Sequence, residues 1–210
     1  MLGKAAILLK NSAVSSVLLL ISCLIFIFAL PVFEFPTPAI SIILFSIILF
    51  LAAYSISTKA VYIGIGAILI EIATRTTSFK YLHYISEVLT NLFIIYIVGA
   101  VIKYLIAQKN VNIYSLVEAI NGYLLLGIMF ISLVAFCDLY IPEAYNAAGK
   151  TDMELVYYTM ITLTTAGYGD ITPQLPLSQS LSMFIAVTGQ FYVAVIVAIL
   201  VGKFSSNSNQ

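Results

Sequence analysis

Asp152-Met153-Glu154-Leu155-Val156-Tyr157-Tyr158-Thr159-Met160-Ile161-Thr162-Leu163-Thr164-Thr165-Ala166-Gly167-Tyr168-Gly169-Asp170 is the stretch on which the reading of this chain turns. Asp152 to Thr164 predicts a helix of about 13 residues, too short to cross a bilayer, which takes about 20. Asp152 and Glu154 in its first turn suit the positive end of the helix dipole. The chain then passes through Thr165 to Asp170 and turns back through Ile171-Thr172-Pro173. Long apolar runs flank the whole stretch. The pattern predicts a half-helix that enters an apolar layer from outside, stops near its middle and returns outward.

Irregular backbone at membrane depth is tolerated only where protein buries it or where it lines a watery cavity. Gly167 and Gly169, at alternate positions, permit backbone angles closed to other residues. A strand of that kind can turn successive carbonyl oxygens to one side, and a ring of carbonyls can replace the hydration shell of a monovalent cation.

The rest of the chain supplies the layer. Its 210 residues are 62% hydrophobic and 9% charged, far from the usual composition of a soluble domain. Nine Lys plus Arg balance nine Asp plus Glu, so nothing points to nucleic acid. The apolar runs predict helical spans near 12–30, 39–57, 60–74, 84–106, 113–137 and 179–202. The third is the shortest, is interrupted by Glu71, and either continues through Arg75 to Phe79 or is a tilted or partly re-entrant segment. The expected fold is therefore an all-α membrane protein with six transmembrane helices and a re-entrant half-helix and loop between the last two, which the resemblance given below makes a pore helix and filter loop.

Charge placement favours both termini in the cytoplasm. Lys4, Lys10, Lys59, Lys103, Lys109 and Lys203 then lie inside, and Arg75, Lys80 and Lys150 outside. Glu34, Glu87, Asp138, Glu143, Asp152, Glu154 and Asp170 fall outside, where they would concentrate cations at an outer mouth. A cleaved leader is disfavoured, because Leu24 to Leu30 after Cys23 stays apolar. Nothing pairs Cys23 with Cys137. His83 beside Tyr81 and Tyr84 reads as an interfacial aromatic belt. Gly64-Ile65-Gly66 reads as a helix-packing site, and Asn91, Asn121 and Glu118 as interhelical hydrogen-bonders. A functional role for Glu118 stays open, since such a group is expensive near lipid.

The segment Thr164-Thr165-Ala166-Gly167-Tyr168-Gly169-Asp170 resembles the signature of the potassium channel family, T-x-G-Y-G-D. The resemblance covers roughly residues 113–203, and the first four spans share only number and placement with the family. It implies ion binding by the carbonyls of Thr165, Ala166, Gly167 and Tyr168 together with the Thr165 hydroxyl. Thr164, Gly169, Asp170, Tyr157 and Tyr158 would support the filter, the two tyrosine hydroxyls by bonding Tyr168. Gly189, twenty residues beyond Gly169, would be the hinge of the inner helix. Val193, Val197 and Val201 continue at four-residue spacing as candidates for a hydrophobic inner gate. The resemblance further implies a homotetramer around potassium ions in a lipid bilayer, with no cofactor and no enzymatic activity. The location would be the plasma membrane, or the inner membrane in a bacterium.

Three positions depart from the family. Ala166 replaces the usual valine, leaving less volume behind the filter. Tyr157 and Tyr158 stand where many members carry tryptophan. Ile161 stands where some place a glutamate paired with the filter aspartate. Span 84–106 holds only Lys103 in place of an arginine ladder, so strong voltage gating is not expected. The expected division is a four-helix region at 1–109, a pore domain at 110–204 and a polar, disordered tail at 205–210. A weakly selective cation channel and a non-conducting sensor or scaffold are the alternatives.

Overall fold

The computed structural model describes residues 14–33, 38–56, 58–76, 80–107, 112–146 and 152–207. They form helix α1 over 14–33, α2 Pro38–Ile56, α3 Thr58–Thr76, α4 Lys80–Ala107, α5 Ile113–Tyr140, α6 Asp152–Leu163 and α7 Pro176–Asn207. Among the described residues there is no strand, only one isolated bridge. The helices coincide with the apolar runs and with the expected half-helix. Three stretches are long and apolar enough to cross a membrane: Tyr84–Ala107, Ile113–Tyr140 and Pro176–Lys203. Val14–Ala29, Ile40–Ile56 and Ala60–Ile70 are shorter apolar helices. The charges and aromatics expected at Lys4, Lys10, Glu34, Lys109 and Lys150 lie outside the described residues, as do the side chains of Lys59, Glu71, Arg75, Lys80, Tyr81, His83 and Asp152.

The chain divides into two compact units, Met1–Leu125 and Leu126–Gln210. In the first, α2, α3 and α4 pack side by side around Ile48, Ala52, Ala53, Phe93, Ile94 and Ile97. Gly64 permits this approach: a Cβ there would stand 3.1 Å from Ala53 Cβ and 3.3 Å from Phe93 Cζ. Gly66 faces open space, so the packing role expected of the glycine pair falls to Gly64 alone. Helix α1 carries a π-helical stretch, Ile25–Ala29, closed by the Leu30 N–H on Ile25 O. It lies just before Pro31, which has no N–H to continue the ordinary ladder.

A buried polar layer ties α1 to the start of α5. The Ser16 hydroxyl donates to the Glu118 carboxylate, and Asn121 Nδ2 donates to Ser16 O at 2.9 Å. Both α5 side chains are buried and bond between helices, as expected, because a buried polar group is costly without a partner. Asn91 Nδ2 donates one turn back, to Glu87 O at 2.8 Å. The first turn of α5 is capped by Asn112, whose Oδ1 accepts from Ser115 N at 2.9 Å while Ser115 Oγ accepts from Asn112 N.

The second unit holds the end of α5, α6 and α7. Its core is built from Phe130, Val134, Leu155, Leu163 and Ile185, with the Phe130 and Phe184 rings edge to face at 5.9 Å. Gly127 in α5 makes room for the Met160 sulfur, which a Cβ there would approach to 2.9 Å. Helix α7 begins with Pro176 in its first position, and Ser178 Oγ accepts from Leu175 N at 3.1 Å, closing the cap from inside the turn. At its other end α7 continues through Asn207, so Ser205, Ser206 and Asn207 extend the helix where a disordered tail was expected. One more turn on a long preformed helix needs no new nucleus. Residues 208–210 lie outside the described residues.

Candidate functional site

Helix α6 ends in a six-residue cap that shapes everything after it. Ala166 N donates to Ile161 O at 2.9 Å and Thr165 N to Thr162 O at 3.0 Å, the paired pattern of a Schellman cap. That cap needs a left-handed residue at its fifth position, a place glycine usually takes, and here it is Thr165 with φ +60. For a β-branched residue this is a strained backbone, costing about 1–3 kcal/mol. Gly167 N adds a third bond to Ile161 O at 3.2 Å.

Left-handed φ then recurs at every second residue: Thr165 at 60, Gly167 at 48 and Gly169 at 81. A strict left–right alternation turns neighbouring peptide planes the same way, so carbonyls that would alternate along a strand point to one side. Two glycines were legible as the residues permitting this. The third left-handed position, on a threonine, follows from the helix cap and not from residue type. Residues 164–170 are all exposed in the single chain, with Tyr168 at 75%.

The expected supports divide by partner. The Tyr157 phenol lies within electrostatic reach of the Asp170 carboxylate, which relates the first half of α6 to the exit of the loop. Tyr158 is buried and its hydroxyl meets Ser182 Oγ on α7 at 2.5 Å. Within this chain neither hydroxyl bonds Tyr168, the partner expected for both. Thr164 Oγ1 turns back to Met160 O at 2.9 Å, so it seals the helix end. Gly189 sits on the same helix end, and Val193, Val197 and Val201 are exposed on α7 while Tyr192 and Ile196 on an adjacent face are buried.

Residues that sequence reasoning did not single out complete the frame. The return segment is stapled to the loop after α5: Asn146 N donates to Thr172 O at 3.1 Å, Thr172 N to Asn146 Oδ1 at 2.7 Å, and Gln174 N to Ala144 O at 2.9 Å. Ser178 Oγ donates to Ala144 O at 2.7 Å, fixing the same loop to α7. Tyr145 is buried behind α6, its ring edge to face with Tyr158 at 5.0 Å. Burial pushes its phenol above the ordinary tyrosine range, and nearby Cys137 adds to the effect. Gln190 Nε2 donates to Thr165 Oγ1 at 2.9 Å. A lone amide in an apolar span was the available signal for Gln190. No local pattern announces the loop staple, because its partners are 26 residues apart.

No cluster of metal-ligating side chains exists among the described residues. The chemistry on offer is a short exposed strand of backbone oxygens held from behind by tyrosines, a carboxylate and two helices.

A known protein family matches this same part of the chain. A family model described as Ion channel covers residues 122–206, which take in the end of α5, α6, the irregular segment and α7. Potassium channel K1 of Plasmodium berghei (strain Anka) is 37% identical over 71 residues. That match takes in 31% of this chain and 4% of that protein, so the chain spans a small fraction of the curated relative's length. No solved structure matches. The signature segment, the half-helix before it and the apolar helix after it all lie inside the region that is similar to ion channels.

Proposed function

We propose that this chain is the subunit of a potassium-selective channel in which four copies surround one passive pore. The alternation of left-handed φ at Thr165, Gly167 and Gly169 carries the reading. It supports ion sites made by the carbonyls of Thr165, Ala166, Gly167 and Tyr168 with the Thr165 hydroxyl. Four such strands facing an axis would replace the water shell of a bare cation layer by layer. The exposure of the whole segment in one chain suits a surface that other copies complete.

In this reading the membrane holds six spans with both termini inside, α6 is re-entrant, and the pore domain is 110–204 after a four-helix region at 1–109. Asp170, facing the Tyr157 phenol, anchors the outer mouth where Ile161 offers no carboxylate. Gly189 serves the inner helix as its pivot, and Val193, Val197 and Val201 line the inner gate. The absence of an arginine ladder supports opening that depends weakly on voltage.

Reversal potentials of the full chain in mixed potassium and sodium test the selectivity. A strong potassium preference is expected. A ratio near one would replace the reading by a weakly selective cation channel, the outcome the smaller Ala166 favours. Well-formed tetramers without flux would leave a non-conducting scaffold.

A further inference from the structure

The bond from Gln190 Nε2 to Thr165 Oγ1 joins the middle of α7 to the first residue of the irregular segment across 25 positions of sequence. It exists because of its neighbour. Gly189 has no Cβ, and one built there would lie 2.2 Å from Leu163 O. The backbone of α7 therefore approaches the end of α6 closely enough for the next side chain to reach Thr165. A threonine hydroxyl has one hydrogen and two lone pairs. An amide N–H on one lone pair fixes the rotor, directs the second lone pair and keeps the hydroxyl hydrogen out of the same space.

We propose that Gln190 is a positioning residue for the innermost ion site, holding the Thr165 hydroxyl so that its free lone pair faces the ion. This rests on the filter reading above. Without Gln190 the hydroxyl rotates, its hydrogen turns toward the ion for part of the time, and that site alone weakens. The carbonyl sites of Ala166, Gly167 and Tyr168 keep their backbone frame and stay as they are.

The test uses the full chain in planar bilayers, with barium, a divalent cation close to potassium in size, applied from each side in turn. Gln190→Leu is expected to weaken barium block from the Gln190 side about 3- to 10-fold, the effect of one neutral hydrogen bond. In a Thr165→Ala background, the leucine substitution is expected to do nothing further, because the hydroxyl it acts through is gone. The thermal midpoint of each purified tetramer is read alongside; a purely structural role would lower it and leave the block unchanged. Unaltered block in Gln190→Leu, or an equal effect in the Thr165→Ala background, overturns the role of Gln190 while the pore reading survives. A wild-type chain that passes no potassium overturns the pore reading itself, and this one with it.

Discussion

Gly189 packs on the carbonyl end of α6 so tightly that a Cβ there would stand 2.2 Å from Leu163 O and 2.9 Å from Leu163 Cδ1. Leu163 is fully buried, so neither partner can move aside cheaply. A glycine expected as a hinge is seen here to let α7 lie against the helix that ends at the irregular segment.

Gly189→Ala is accordingly expected to destabilise the unit by about 1–3 kcal/mol, the usual cost of overpacking. The check is the thermal midpoint of the purified protein. A hinge acting only through flexibility predicts an unchanged midpoint with slowed opening, and that result would remove the packing role.

Thr165 separates stability from function. Thr165→Gly is expected to hold or raise stability, since glycine takes the left-handed cap position without strain. The same variant is expected to lose ion discrimination, since the hydroxyl is absent. Thr165→Val keeps the strain and loses the hydroxyl. Denaturation midpoints and reversal potentials measured on both variants distinguish them; a less stable glycine variant would refute the strained-cap account.

The staple between 144–146 and 172–174 predicts where the outer mouth loosens. Asn146→Ala removes the acceptor of Thr172 N at 2.7 Å, a loss of about 0.5–1.5 kcal/mol at this exposed bond. Hydrogen exchange is expected to speed up at Thr172 and Gln174 and to stay slow in α6. Uniform acceleration across the unit would mean global unfolding and no local staple.

Tyr145 sets an alkaline limit. Its phenol is pushed above the ordinary value of 10.0 by burial, so the folded state resists ionisation while the unfolded state does not. Its contribution is complete below about pH 10 and is lost as pH rises from there toward the folded value. Wild type is expected to lose more stability than Tyr145→Phe between pH 9 and about 11.5, read by chemical denaturation. Parallel decline of the two proteins would show that Tyr145 does not titrate in this way.

Val197→Cys addresses the gate. If the Val193, Val197 and Val201 stripe closes the pore, a cytoplasmic thiol reagent modifies the cysteine faster in open channels. Modification rates independent of opening would take the stripe out of the gate.

The helices were legible because apolar runs of bilayer length admit few alternatives when backbone groups must bond internally. The signature segment was legible for the same reason: two alternate glycines after a helix too short to span have little other use. Tertiary structure decided what long-range geometry alone can decide. Nothing in a threonine says that it will take left-handed φ; the i−5 bond from Ala166 to Ile161 imposes it. Nothing local says that Gly189, and not Gly66, is a contact glycine; only the neighbouring helix supplies Leu163 O. Gln190 finds Thr165, and Asn146 finds Thr172, through the way helices and loops are brought together. Periodicity and composition are properties of neighbours along the chain, whereas these bonds are properties of neighbours in space.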